Sequence, residues 1–177
     1  MMNTIHYISE KMKKCFIGET VKLIAISAMG KHRQIGLNGD LPWRNPEEYK
    51  HYEDTVRGHF LIVGRKNYES HKEDIRIGKP LVVTRNPNFR PECGAPAFQD
   101  VESVLDYLKK ENVNRAFVIG GEGIYSLFLP VVDEMLLSFV DYDGEADTFF
   151  PEFDQADWEI VKKEDRGSYL FCHYKRI

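Results

Sequence analysis

From Val21 onward two textures of apolar residues take turns along the chain. Five short apolar runs rich in β-branched residues, VKLIAISA (21–28), FLIVG (60–64), PLVVT (80–84), RAFVIGG (115–121) and EMLLSFV (134–140), have the pattern of strands buried on both faces. Between them apolar positions recur at helical spacing. PEEYKHYEDTV (46–56), the short RKNYESH (65–71), VESVLDYLKKE (101–111), with Val101, Val104, Leu105 and Leu108 on one face, and GIYSLFL (123–129) are predicted helices. After residue 140 the rhythm breaks, and DWEIVKKEDRGSYLFCHYKRI (157–177) reads as two strands joined by a turn at Arg166 and Gly167. The pattern predicts a single-domain α/β fold: a mostly parallel central sheet of about eight strands, helices on both faces and a C-terminal antiparallel hairpin. There is no repeat, low-complexity tract or linker composition to divide it.

The first twenty residues stand apart. Ile5, Ile8 and Met12, with Cys15, give only a weak helical period, so 1–20 reads as an N-terminal extension, either a short helix or a disordered segment. Met12 is also a candidate start of translation. The segment lacks the apolar run of a signal peptide, and no stretch approaches the ~18 apolar residues of a membrane span, so the expected compartment is the cytoplasm. A net charge of -4 with 24 scattered Lys and Arg supplies no basic field for nucleic acid or an anionic membrane. Cys15, Cys93 and Cys172, odd in number and far apart, form neither a disulfide framework nor a zinc spacing. The expectation is a monomer with a small-molecule partner and no metal.

Open α/β sheets bind ligands beyond the carboxyl ends of their strands, so the strand-to-helix junctions carry the candidate chemistry. Gly120 and Gly121 end one buried strand and lead into a helix. They suit close approach to a pyrophosphate, or they only make a tight turn; the GxGxxG fingerprint is absent. Arg65 follows Gly64 and Arg85 follows Thr84, each just past a strand, placed either to grip a phosphate together or to sit as solvated charges. Asn45, Pro46 and Glu48 read as a helix start: N-cap, first helical residue and a glutamate able to reach back to the cap. Against that capping role, Glu48 shares a helix face with Tyr52, and an inward-facing carboxylate would have its pKa raised. Trp43, just upstream, anchors the loop or covers a pocket.

Together QIGLNGDLPWRNPEE (34–48), VGRKNYES (63–70), PLVVTR (80–85), FVIGGEGIYSLFLP (117–130) and DTFFP (147–151) resemble the dihydrofolate reductase family in order and spacing, over residues 21–177. The resemblance implies that Glu48 is the acidic residue that binds the pterin and that Trp43 covers it and helps hold a water. It puts Ile24, Ala25, Tyr52, Ile75, Ile119, Tyr125 and Ser138 around the pterin, with Arg76 or Lys79 for the glutamate tail. The implied cofactor is NADPH. Ile26 and the loop residues Ile35, Gly36, Asn38, Gly39, Asp40 and Leu41 would meet its nicotinamide, as would Asn67. Gly64, Arg65, Lys66, Thr84 and Arg85 would lie near its 2'-phosphate side, and Gly120, Gly121, Glu122, Gly123, Ile124 and Tyr125 near its pyrophosphate.

The implied reaction is NADPH-dependent reduction of dihydrofolate to tetrahydrofolate, by hydride transfer to C6 with protonation of N5, in support of one-carbon metabolism. Alternatives are a related pterin or pyrimidine reductase whose substrate lacks the glutamate tail, and a non-catalytic dinucleotide-binding module. The chain departs from the family in several places. Tyr52 stands for a usual phenylalanine, Asn67 for a common threonine, and Ala146 for a frequent glycine. Val56 occupies the place of a threonine that hydrogen-bonds near the pterin, with Thr55 one step early. The stretch IRIGKPLVV is a residue short where the tail-binding arginine usually lies.

Overall fold

The computed structural model describes residues 21–177, so the extension expected at 1–20 lies outside the described residues. In chain order the elements are β1 (Lys22–Met29), β2 (Gln34–Gly36), α1 (Pro46–Val56), β3 (Phe60–Gly64), α2 (Arg65–Ser70), α3 (Lys72–Ile75), β4 (Lys79–Val83), β5 (Ala97–Phe98), α4 (Val101–Lys110), β6 (Arg115–Gly120), α5 (Glu122–Phe128), β7 (Glu134–Val140), β8 (Thr148–Phe149), β9 (Trp158–Asp165) and β10 (Tyr169–Arg176). Eight strands form one sheet in the order β5-β4-β3-β6-β1-β7-β10-β9. Neighbours run parallel except β10, which runs against both β7 and β9 as the C-terminal hairpin. β2 and β8 make a separate two-stranded ladder. Among the described residues no helix is long and apolar enough to cross a membrane.

The continuous apolar runs follow from burial on both sides. On β1, Leu23 and Ala25 face the layer that holds Val104 and Leu108 of α4 and Tyr125 and Phe128 of α5. Ile24 and Ile26 face the other layer, with Val56 of α1, Tyr68 of α2 and Ile75 of α3. Leu61, Ile62 and Val63 at the centre of β3 have no exposed surface, and each such side chain contributes about 1.5–3 kcal/mol of burial. The expected helix at 123–129 sits one residue earlier, because Gly121 rather than Glu122 is its N-cap. α3, β2, β5 and β8 span only two to four residues each, too few to show a period, and the sequence pattern passed over them.

Candidate active site

The chain turns in opposite directions after two adjacent strands. From β3 it passes through α2 and α3 out to β4, whereas from β6 it passes through α5 across β1 to β7. α2 lies on one face of the sheet and α5 on the other, so a crevice forms beyond the carboxyl ends of β3 and β6, the usual ligand position in such sheets. Both helices are capped there by a glycine with no side-chain hydrogen bond, Gly64 for α2 and Gly121 for α5. A Cβ on Gly64 would stand 2.9 Å from Ile124 Cγ1, which keeps the two junctions tight against each other. A Cβ on Gly121 or Gly123 would meet nothing within 4 Å, so this side of the crevice is open.

Next to it β1 and β6 part. Their paired register runs from Lys22–Arg115 to Ala25–Val118 and stops, although β1 continues to Met29 and β6 to Gly120. The Tyr125 phenol reaches into the split and donates a 2.7 Å hydrogen bond to the Ile26 carbonyl oxygen. Gly120, at φ +106°, lets the ring lie against the main chain, where a Cβ would be 2.8 Å from Tyr125 Cε2; the Gly120–Gly121 peptide is cis.

α1 delivers the acid. Asn45, in extended conformation, accepts a 3.1 Å hydrogen bond from the Glu48 N–H through Oδ1, and Pro46 opens the helix. The Asn45 amide also donates to the Ser168 carbonyl at 3.0 Å, and Ser168 Oγ donates to Glu47 Oε2 at 2.5 Å, which ties the helix start to the β9–β10 turn. Asn45→Ala is expected to lower stability by about 1 kcal/mol, measured by denaturant unfolding, since one helix-end N–H loses its acceptor. The Asn45 cap engages only the Glu48 N–H, and the Glu48 side chain points inward, 6 % exposed. Burial pushes its carboxyl pKa up, and the Ser138 hydroxyl opposes that by hydrogen bonding. Tyr52, one turn on, is partly buried against the Ile24 and Ile26 layer.

The loop before α1 is pinned at two points. Leu37 and Asp40 exchange main-chain hydrogen bonds around a turn with Asn38 at φ +53° and Gly39 at +84°, and the Asn38 N–H donates to Asp147 Oδ2 at 2.8 Å. Further on, Trp43 packs on Tyr142 with ring centroids 5.3 Å apart and borders the cluster of Val140, Tyr169 and Phe171. Val140 and Ser138 share a face of β7, so Trp43 and Glu48 belong to the same end of the cleft.

Comparison with known proteins bears on this arrangement directly. The family model described as dihydrofolate reductase matches residues 22–176. The chain belongs to the dihydrofolate reductase family. It is 34% identical over 168 residues to the dihydrofolate reductase of Staphylococcus haemolyticus, covering 89% of this chain and 97% of the relative. It is likewise 34% identical over 167 residues to dihydrofolate reductase HdrB of Haloferax volcanii, covering 88% and 84%. A solved structure of dihydrofolate reductase from Enterococcus faecalis, complexed with NADP(H) and RAB-propyl, superposes with a TM-score of 0.78 at 28% identity, covering 88% of this chain and 96% of that one.

Against the set of residues expected from the family, the structure brings Ile24, Ile26, Glu48, Tyr52, Ile75, Ile119 and Ser138 to one face of the sheet. Tyr125 enters through the split. Two residues lie elsewhere. Ala25 points to the α4 and α5 layer and offers the cleft only its backbone. Lys79 has the same parity on β4 as Leu81 and Val83, and its Nζ stands 5.2 Å from the centroid of the Phe60 ring on that far face, away from Glu48. Arg76 is exposed and paired with Glu73 at 2.8 Å. Thr55 does not make up for the threonine displaced by Val56, because its hydroxyl donates to the His51 carbonyl of its own helix at 2.7 Å.

On the side expected to take the cofactor, Gly64 and Val83 are paired in register, so Arg65 and Arg85 leave neighbouring strand ends together. Arg65 currently bonds Glu69 at 2.9 Å and lies 5.9 Å from the Phe89 ring centroid, while Arg85 is exposed. Thr84 Oγ1 accepts from the Asn86 N–H at 3.2 Å. Asp147, which the motif DTFFP contained but did not single out, is the residue that fixes the Asn38 turn. Its signal was position alone: an acid directly before a β-branched pair partner of β2.

Proposed function

We propose that this protein reduces dihydrofolate to tetrahydrofolate with NADPH, as a cytoplasmic monomer whose catalytic domain is residues 21–177. The observation that carries the reading is Glu48: a buried acid with a raised pKa, placed beside a strand split at the switch point of a sheet of this family. Such a carboxylate accepts two parallel hydrogen bonds from the amino group and adjacent ring N–H of a pterin, a geometry that fixes the ring plane. In the dry site its charge also raises the proton affinity of the nearby ring nitrogen, so that a water can deliver the proton to N5. Ile24, Ile26 and Ile119 supply the flat apolar wall, and Trp43 with the pinned loop keeps bulk water out.

The residues at the crevice fit the cofactor: two helix starts with glycine caps and no side-chain cap bond, open space at Gly121 and Gly123, and two arginines at adjacent strand ends. When bound, NADPH supplies the hydride. Tyr125, held by Ile26, sets the depth to which a ring can enter the split, and Arg65 and Arg85 are placed to grip a 2'-phosphate.

Loss of the reduced nicotinamide's absorbance on adding dihydrofolate tests the reading, and no turnover would refute it. Replacing both Arg65 and Arg85 by alanine is expected to raise KM for NADPH by roughly 100-fold or more, two lost charge-assisted contacts, with KM for NADH moved less than about threefold. Equal losses for the two cofactors would remove the phosphate from this position.

A further inference from the structure

We propose that the Tyr49–Asp74 hydrogen bond is a bar across the outer end of the pterin cleft, and that these two residues set the preference between dihydropterins with and without an anionic tail. The inference rests on the function proposed above and concerns the part of the substrate beyond the ring. Glu48, Tyr49, Tyr52 and Val56 form the stripe of α1 turned toward the sheet, with Glu48 and Val56 buried, Tyr52 partly buried, and Tyr49 at the rim. From the rim Tyr49 Oη donates to Asp74 Oδ1 of α3 at 2.9 Å, and its ring lies 6.2 Å from that of Tyr52. Ile75, the next residue of α3, is buried in the same layer as Tyr52. The Tyr125 phenol, held to the Ile26 carbonyl, closes one end of the cleft; Tyr52 of α1 and Ile75 of α3 line the layer toward the other, and the Tyr49–Asp74 bond joins the two helices at its rim.

The charges at this exit do not invite a carboxylate. Lys72 Nζ is held by Glu92 at 2.8 Å and Arg76 by Glu73 at 2.8 Å, so two paired cations face three carboxylates once Asp74 is included. Lys79, the other basic residue of this stretch, stands over Phe60 on the opposite face of the sheet. Burial and the Asp74 contact push the Tyr49 pKa up to about 12, so at working pH the phenol stays protonated and keeps donating to Asp74. A substrate with a carboxylate tail must break this bond and pass the Asp74 charge. A dihydropterin that ends in a methyl group at C6 does not reach it.

Steady-state kinetics with dihydrofolate and with a dihydropterin bearing only a methyl group at C6, for the wild type, Asp74→Asn and Tyr49→Phe, tests the bar. In the wild type the two substrates are expected to differ in kcat/KM by less than roughly tenfold. Each variant is expected to lower KM for dihydrofolate about threefold to tenfold, the effect of one hydrogen bond or one like charge, with kcat and the methyl substrate's KM moved less than twofold. Unchanged or raised KM for dihydrofolate in both variants, or equal shifts for the two substrates, would overturn the bar and leave the reductase reading standing. No turnover of either substrate by the wild type would overturn both.

Discussion

Glu48→Gln is expected to lower kcat/KM for dihydrofolate by roughly 100- to 1000-fold at neutral pH, and to raise the melting temperature of the free enzyme. The loss follows from the proposed role of Glu48: glutamine offers one acceptor and one donor where a pterin held there needs two acceptors, and it removes the charge proposed to favour protonation of N5. The gain follows from burial. Desolvation raises the Glu48 pKa in the folded protein, so stability begins to fall as pH rises past the unfolded value, and above the folded one the native state holds a charge in a site that disfavours it. Stability lost in this way returns as pH falls through the folded pKa, and the neutral amide never incurs it. The variant should therefore exceed the wild type in melting temperature at neutral pH, by about 2–4 °C for each kcal/mol relieved at this chain length, and the gap should close in acid. Thermal scans at several pH values check the sign, and titration with NADPH should show an unchanged dissociation constant. A variant that kept wild-type turnover would remove Glu48 from the chemistry, and one that melted lower at neutral pH would show that Ser138 outweighs desolvation.

The parts of the fold that were legible are those where one requirement dominates. FLIVG and EMLLSFV could be bounded to the residue because burial on both faces demands a mainly apolar run, which Ser138 interrupts without ending. α1 could be bounded as well, since Asn45 and Pro46 fix its start and the apolar stripe ends at Val56. What stayed hidden depends on a choice between equals. Both faces of β1 are apolar, so nothing in LIAI says that Ile24 rather than Ala25 turns toward α1. Both faces of β4 are apolar as well, so the sequence does not say which one takes Lys79; the pleat gives it the face of Leu81 and Val83, where its ammonium stands over Phe60. Glu48 was open between capping and the cleft, and the Asn45 cap on the Glu48 N–H is compatible with either; it is burial against the sheet, with the Ser138 hydroxyl as partner, that takes the carboxylate inward. Tyr49 and Asp74 are 25 positions apart with no shared period, so their meeting is a product of packing alone.

Gly120→Ala and Gly121→Ala, adjacent and chemically identical changes, are expected to fail in different ways. Gly120 lies at φ +106°, which a residue with a side chain reaches only under strain of about 1–2 kcal/mol. The new Cβ would also stand 2.8 Å from the Tyr125 ring, overpacking worth about 1–3 kcal/mol. Together these amount to roughly 2–5 kcal/mol, a large part of the stability of an ordinary domain, and relief by moving the ring would break its hydrogen bond to Ile26. Denaturant unfolding of Gly120→Ala should show the loss with or without NADPH. Gly121 has φ −75°, outside the positive range that favours glycine, and its added methyl meets nothing within 4 Å beyond its chain neighbours, so the fold should melt within a degree or two of the wild type. In the proposed placement that open space takes the cofactor's pyrophosphate, and the methyl should weaken NADPH binding by roughly tenfold or more, the cost of holding the two about an ångström apart. Stable Gly121→Ala protein that binds NADPH as tightly as the wild type would move the pyrophosphate away from this junction, whereas intact folding with weakened binding separates at one dipeptide the residue that shapes the strand end from the residue that makes room for the ligand.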